Sequence, residues 1–326
     1  MYKILLTCPP MIESFHLYKE VLLEKNLDVH IPSFTQVMTE NELIKIIGNY
    51  DGWIIGDDPA TQKVFEHGMK GKLKVVVKWG VGIDNVATSF LKKNNIPFTN
   101  IPNVFGESVS DVGIGMLLSI NRHLHNIHQE VMEGKWYKPC GDSLLDKKIC
   151  LVGFGDIGRC SARKLLAFHS KVHVSDPGFQ YDKNGKIICS YDKTIEINDT
   201  LQQVKLDSLE KSLENCDIIF ITAALHESTF HLIDEKKIRS AKKGVKIINI
   251  SRGPLVCETS VLKLLDEKFI DSVGFDVFET EPIQKDHPLK KYHKNIFGTH
   301  NGSNEIDGVY KTSMIAISKI VEFLNL

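Results

Sequence analysis

The feature that most constrains this chain sits near its middle. Residues 147–158 read Lys-Lys-Ile-Cys-Leu-Val-Gly-Phe-Gly-Asp-Ile-Gly. They predict a short buried strand, then glycines at 153, 155 and 158, then an amphipathic helix carrying Ile157, Ala162, Leu165 and Leu166. A dinucleotide needs strand, G-x-G-x-x-G and helix in that order. Gly153 permits the tight turn, Gly155 lets backbone approach a pyrophosphate, and Gly158 lets the helix pack close to the strand. The backbone of Asp156 and Ile157 opens that helix. Residues 171–175 predict a second strand ending at Asp176, 18 residues past the last glycine. An acid at that place takes the adenosine ribose hydroxyls. Because the motif begins at 147, another domain must precede it.

A length of 326 residues suits two domains of ordinary size. The formal net charge of -1 and pI near 6.9 give no footprint for nucleic acid or an anionic membrane. The opening Met-Tyr-Lys-Ile-Leu-Leu-Thr reads as a first strand, and its apolar part is too short for a signal peptide. No apolar run approaches the roughly 18 residues of a spanning helix. Seven cysteines, odd in number and without a C-x-x-C pair, behave as reduced core residues. The expectation is a cytoplasmic protein without disulfides.

From 1 to about 100, predicted strands (2–7, 28–31, 52–55, 73–78) alternate with predicted helices (13–25, 40–48, 61–67, 85–94). Such alternation implies a parallel sheet covered on both faces. One long helix is expected over 107–130. The alternation resumes at 148, with strands at 171–175, 217–221, 245–250 and 271–275 and helices near 156–168, 208–214, 234–240 and 258–267. An amphipathic helix over 303–324 closes the chain. Asp182-Lys183-Asn184-Gly185 predicts a turn, and the run 186–197 beyond it reads as part of a surface β-hairpin. His123, His125 and His128 lack the i, i+4 face of helical zinc pairs and have no nearby cysteine, so no metal site is expected.

Three further segments indicate a reaction class. The strand 246–250 delivers Arg252 at its carboxyl end, where ligands bind in open α/β sheets. The segment 273–282 ends in acids, including Glu281. The segment 295–302 carries His300 just before the last helix. With a nicotinamide, these three make a hydride-transfer site for an acid bearing a hydroxyl or oxo group. The arginine grips the carboxylate bidentately and polarises the adjacent carbonyl. The histidine exchanges the hydroxyl proton, and the glutamate orients its ring and favours its protonated form.

These pieces resemble the D-isomer-specific 2-hydroxyacid dehydrogenases, with the nearest look to the branch that includes 3-phosphoglycerate dehydrogenase. The matching segments are Gly80-Val81-Gly82-Ile83-Asp84-Asn85, Gly153 to Gly158, Asn249 to Gly253, Asp276 to Pro282, and His300. The resemblance implies an α/β protein of two Rossmann-like, doubly wound parallel-sheet domains. Residues 1–101 and 299–326 would form the substrate domain, and residues 102–298 the inserted nucleotide domain. It implies catalytic places for Arg252, Glu281 and His300. It also implies a substrate-carboxylate site at the backbone of Val81 and Gly82 beside Lys78, and cofactor positions at Ala223, Ser251 and Asp276. A homodimer joined through the nucleotide domains, with the 107–130 helix in the contact, is implied as well. If Asp176 faces the ribose, the 2′-phosphate of NADP would meet like charge. At ~4 Å and an effective dielectric of ~20 the repulsion is on the order of 4 kcal/mol, which favours NAD. The reading is an NAD-dependent oxidoreductase interconverting a D-2-hydroxy acid and its 2-oxo acid. Two alternatives are a formate or phosphite dehydrogenase, for which glutamine usually replaces the acid at 281, and an NADH-binding corepressor-like protein. Departures from the family pattern occur at Gly298-Thr299 before His300, at Ala224-Leu225-His226, and in the loop Gly56-Asp57-Asp58-Pro59. Relatives with phosphorylated substrates often carry arginine in that loop, whereas an acidic loop suits a hydroxylated or amino-bearing acid.

Overall fold

Five runs of aliphatic and β-branched residues in the first hundred positions pair into one all-parallel sheet. The computed structural model describes residues 1–33 and 37–326. The strands are β1 (Tyr2–Leu6), β2 (Leu27–His30), β3 (Gly52–Ile55), β4 (Val75–Lys78) and β5 (Phe98–Thr99), in the order β2-β1-β3-β4-β5. All of β3 and β4 is buried, as expected of parallel strands covered on both faces. The chain divides into two units, Met1–Phe105 with Ser303–Leu326, and Gly106–Gly302. The helix Ile306–Leu324 belongs to the first unit. Trp79 donates from its indole N–H to Ser313 Oγ at 3.0 Å, and Glu305 caps the helix by accepting from the Asp307 and Gly308 amides, each at 2.8 Å.

The second unit holds a seven-stranded parallel sheet. Its strands are β6 (Lys148–Val152), β7 (Lys171–Ser175), β10 (Lys205–Leu206), β11 (Ile218–Ile221), β12 (Val245–Asn249), β13 (Ile270–Phe275) and β14 (Ile296–Phe297). They lie in the order β10-β7-β6-β11-β12-β13-β14. Order therefore reverses between β6 and β11, and ligands bind at such a switch point, outside the carboxyl ends of the strands. A separate antiparallel pair is formed by β8 (Phe179–Tyr181) and β9 (Ile187–Cys189).

The sequence expectations shift in four places. The two crossings fall at 105/106 and 302/303 rather than at 101/102 and 298/299. The Ile101 amide bonds the Gly80 carbonyl at 2.9 Å and Phe105 packs on Trp79, which ties residues up to 105 to the first unit. The helix expected over 107–130 is two helices, Gly106–Arg122 and Leu124–Met132, broken at His123 in the left-handed conformation (φ 54°). The helix expected over 13–25 is likewise interrupted at Ser14 and Tyr18. Of the run 186–197 only β9 pairs; Asp192 folds the rest into a turn by accepting from the Thr194 amide at 2.9 Å. The strands β5, β10 and β14, two residues each, are too short for a periodic signal.

The edge of the second sheet is held electrostatically. Asp207 accepts from His173 Nδ1 at 2.7 Å and lies 3.6 Å from Lys205 and 3.5 Å from Lys211. Burial pushes this carboxyl up, but His173, Lys205 and Lys211 outweigh it and hold it below its ordinary range. A depressed carboxylate stabilises the folded state fully above its unfolded pKa of about 4, and that contribution fades as pH falls through the folded value. Urea melts of wild type and Asp207→Asn between pH 3 and pH 7 should converge at the acid end and diverge above about pH 4.

Candidate active site

The turn after β6 is built for close approach. Gly153 has φ +96°, and a Cβ there would stand 2.6 Å from the Ala223 nitrogen at the end of β11. A Cβ on Gly158 would meet the Gly153 carbonyl oxygen at 2.4 Å. A Cβ on Gly155, by contrast, would meet nothing within 4 Å. The helix Asp156–Ala167 opens at Gly155 with no side-chain cap. Its first amides and the positive end of its dipole therefore front open space, which fits a pyrophosphate. Thr222 ties β11 to this turn, donating to the Val152 and Gly153 carbonyls at 3.1 and 2.9 Å.

Asp176 ends β7 beside the turn. Its carboxylate accepts from the Phe154 amide and the Gly178 amide, both at 2.7 Å. It thus fixes the glycine turn and its own turn, and remains half-buried. Ser251 is buried, and its hydroxyl donates to the Ala223 carbonyl, joining the ends of β12 and β11.

The ends of β12, β13 and β14 bring Arg252, Glu281 and His300 together. Glu281 accepts from the Phe278 amide at 2.9 Å through Oε1, and from His300 Nδ1 at 2.8 Å through Oε2. A carboxylate only accepts, so Nδ1 carries the proton of a neutral ring and Nε2 is the nitrogen that can exchange one. Nε2 faces Arg252 Nη1 at 3.5 Å. Both side chains of the His300–Glu281 pair are about one-third exposed (32% and 35%), so they are accessible to a ligand. Arg252 also donates from Nη1 to the Ser251 carbonyl at 2.9 Å.

Several residues to which the sequence reading gave no individual role support these three. Asn249 brackets the arginine turn: its Nδ2 donates to the Arg252 carbonyl at 2.9 Å and its Oδ1 accepts from the Ser251 amide at 3.1 Å. Glu258 and Glu279 each accept from the other's amide at 2.8 Å, which anchors the loop that carries Glu281. A Cβ on Gly253 would fall 1.8 Å from the Phe278 carbonyl carbon, so the arginine turn and the glutamate loop are in direct backbone contact. Asn249, Gly253 and Glu279 lie within the family-matching segments, whereas Glu258 is only the first residue of a predicted helix.

Asp276, expected beside the cofactor, is buried with its carboxylate engaged by main chain. Oδ1 accepts from the Asn301 amide at 3.2 Å and Oδ2 from the Gly302 amide at 3.0 Å, while its carbonyl takes the His300 amide at 2.7 Å. The structure makes it the clamp of the histidine loop.

In the first unit, the Gly80 turn (φ +113°) presents Val81, which is 40% exposed. Asn100 Nδ2 holds the Val81 carbonyl at 2.7 Å, and among the described residues the amides of Val81 and Gly82 donate no hydrogen bond. Lys78 does not join them. Its ammonium is buried and donates to the Gly56 carbonyl (2.6 Å), Asp57 (3.1 Å) and the Trp79 carbonyl (3.4 Å), an internal tie rather than a substrate ligand. Of the two acids of the neighbouring loop, Asp57 stays exposed and Asp58 turns inward. Asp58 is wholly buried, accepting from the Thr7 hydroxyl and from the Met38 amide at 2.8 Å, and burial raises its pKa.

Among the described residues no cluster of three or more His, Cys, Asp or Glu is placed to hold a metal. His125 instead bonds Ser119 Oγ at 3.0 Å, and His123 bonds the Cys140 carbonyl at 3.1 Å. Nor is any described helix long and apolar enough to cross a membrane.

The family model for the NAD-binding domain of D-isomer specific 2-hydroxyacid dehydrogenases matches residues 114–302. The chain belongs to this family. A D-2-hydroxyacid dehydrogenase is an NAD-dependent oxidoreductase acting on CH–OH donors, and the matched domain contains the glycine turn described above. A glyoxylate reductase of Korarchaeum cryptofilum is 32% identical over 252 residues, spanning 76% of this chain and 71% of its own. A hydroxypyruvate reductase of Thermotoga maritima is 29% identical over 294 residues, spanning 89% and 90%. The structure of D-lactate dehydrogenase from Escherichia coli superposes with a TM-score of 0.78 at 21% identity, over 97% of this chain and 95% of that one. That likeness shows the two-domain Rossmann-like fold.

Asp276→Asn turns one of two converging acceptors into a donor that opposes an amide. The expected cost is about 1–3 kcal/mol of stability. Hydrogen exchange should also report faster exchange at Asn301 and Gly302, with protection elsewhere in β13 kept.

Proposed function

We propose that this dehydrogenase interconverts a small, unphosphorylated 2-oxo acid of the glyoxylate or hydroxypyruvate kind with its D-2-hydroxy acid. The observation that carries the reaction is the His300 ring, held through Nδ1 by Glu281 with Nε2 turned to Arg252. Held at the Gly153–Gly158 turn, NAD would supply a hydride acceptor for C2 of the hydroxy acid, and its reduced form a hydride donor for the oxo acid. Arg252 binds the substrate carboxylate and polarises the neighbouring carbonyl. Protonated His300 donates from Nε2 to the carbonyl oxygen in reduction, and neutral His300 accepts that proton in oxidation. Glu281 holds the ring in one tautomer and stabilises its positive charge. The amides of Val81 and Gly82 are assigned to the substrate carboxylate. Residues 106–302 are assigned to the nucleotide and the remainder to substrate, with Asp176 at the adenosine ribose.

Substrate size rests on the first unit and on the relatives. The loop Gly56-Asp57-Asp58-Pro59 has no arginine, Lys78 is engaged internally, and Asp58 faces the core. Among the described residues of that loop and Lys78, no cation is left over for a phosphoryl group, which speaks against 3-phosphoglycerate chemistry. The relatives named glyoxylate and hydroxypyruvate reductase point the same way.

NADH oxidation should proceed with glyoxylate and hydroxypyruvate, at a kcat/KM at least about tenfold above that for 3-phosphohydroxypyruvate, a gap of about 1.4 kcal/mol. A preference for the phosphorylated acid would overturn the assignment. His300→Ala should lower the rate by roughly 10²–10⁴. Because reduction consumes a proton and oxidation releases one, reduction should fall with rising pH and oxidation with falling pH. Profiles moving in one direction for both would contradict the proton route.

A homodimer through the second unit is proposed on the same footing. Leu124, Val131, Met132, Trp136 and Tyr137 leave a run of apolar surface exposed, Trp136 at 84%. Sedimentation should show a dimer that Trp136→Glu dissociates.

A further inference from the structure

The antiparallel pair β8–β9 interrupts the βα alternation of the second unit and has no role in the reaction as assigned. It leaves the sheet just after Asp176 and is fastened at several points. The Tyr181 hydroxyl accepts from the Leu206 amide in β10 at 3.0 Å. The Gln202 carboxamide accepts from the Ile187 amide at 2.8 Å and donates to the Ile187 carbonyl at 3.1 Å. The amide and the hydroxyl of Ser190 both donate to the Gly178 carbonyl, at 2.8 and 3.0 Å. These bonds make the hairpin a fixed wall, and Ser190 brings the chain that leaves β9 back to the end of β7.

Three rings run from the glycine turn to this wall. Phe154, between Gly153 and Gly155, is wholly buried and meets the Phe179 ring edge-to-face at 5.0 Å. Phe179, also buried, meets the Tyr191 ring edge-to-face at 6.2 Å. Such pairs fix ring positions as well as adding stability. Tyr191 also stands against the turn that Asp176 begins. A Cβ on Gly178 would meet Tyr191 Cε1 at 2.4 Å, Tyr191 Cδ1 at 2.8 Å and Asp176 Oδ1 at 3.1 Å, so ring edge and carboxylate border the same point. Only glycine at 178 leaves room for that approach. The ring touches the turn by one edge, and Tyr191 as a whole stays 66% exposed. A packed aromatic series thus ends in an open ring beside the acid assigned to the ribose.

We propose that Tyr191 is the adenine platform of the cofactor site, the open face of its ring stacking on the base whose ribose Asp176 holds. This rests on the assignment of Asp176 to the adenosine ribose. The base is bonded to the ribose carbon next to the hydroxyls that a carboxylate would accept from, so it lies against whatever flanks Asp176. Tyr191 flanks it with an exposed aromatic surface already held in place. Every base has a π-face, so stacking of this kind gives affinity without reading the base's hydrogen-bonding edge. Tyr191 is therefore a binding residue for the adenosine half and takes no part in the hydride step. The β8–β9 insertion serves to hold its ring.

Calorimetric titration of the full chain with ADP, which carries the adenosine half alone, tests the platform without turnover. Tyr191→Leu keeps an apolar side chain against Gly178 and Phe179 but has no ring face, and it should weaken ADP binding about tenfold. Tyr191→Phe and Tyr191→Trp should stay within about twofold of wild type. Inosine 5′-diphosphate should lose the same factor as ADP in Tyr191→Leu. A second readout does not depend on how the leucine variant folds: in Tyr191→Trp, ADP should quench the added indole emission with the calorimetric Kd. Asp176→Asn, titrated alongside, separates the two assignments. Weakened ADP binding in Asp176→Asn with wild-type affinity in Tyr191→Leu overturns the platform and leaves the ribose assignment standing. Wild-type affinity in both variants overturns both. A Tyr191→Phe loss as large as that of Tyr191→Leu, or ADP binding to Tyr191→Trp without quenching, would also overturn the platform.

Discussion

Three successive backbone amides, those of His300, Asn301 and Gly302, close on the single residue Asp276. His300 needs that restraint, since its φ of 57° lies in the left-handed region, which costs a residue with a side chain about 1–2 kcal/mol. Hydrogen bonds to a charged acceptor contribute about 1.5–3 kcal/mol each and offset the strain. The unusual backbone aims the ring so that Nδ1 meets Glu281 and Nε2 meets Arg252. A buried carboxylate at the end of β13 thus sets the direction of the His300 ring by way of three peptide groups. Arg252 depends on a similar device, with Asn249 bridging its turn on both sides.

The two sheets share one construction. In each, short central strands are buried on both faces and less buried strands form the edges. The first sheet, β2-β1-β3-β4-β5, and the second, whose order reverses beside β6, are the two common orders of doubly wound proteins. The polar chain Trp53–Thr7–Asp58 fixes the loops at the ends of β1 and β3, with Trp53 Nε1 donating to Thr7 Oγ1 at 2.9 Å.

Much of this was legible in the sequence because the signals were local. The glycine turn, the acid at 176 and the apolar strands announce themselves within windows of a few residues, and the order of the motifs carried the family. What escaped reading was set by non-local geometry. Nothing near His123 marks a left-handed break, because histidine there is neither glycine nor proline. Lys78 reads as a cation beside a ligand turn, and only the fold shows three oxygens around it. Asp276 reads as an acid near the site, and its bonds to the amides of residues 301 and 302 leave no trace in the segment 273–282. The two-residue edge strands exist through their neighbours alone.

The inward turn of Asp58 in the Gly56–Pro59 loop bears on how this scaffold can diversify. Lys78, Asp57, Asp58, Thr7 and Asn85 hold one another, with Asn85 Nδ2 reaching the Asp58 carbonyl at 2.7 Å and the Gly56 carbonyl at 3.2 Å. An arginine introduced singly at 58 would bury an unpaired charge and release two donors at once. A new substrate preference would therefore have to arrive by exchange of the whole loop together with its partner at position 78. The ancestry of such enzymes should record substrate changes as coordinated jumps in this loop rather than as gradual single-residue drift.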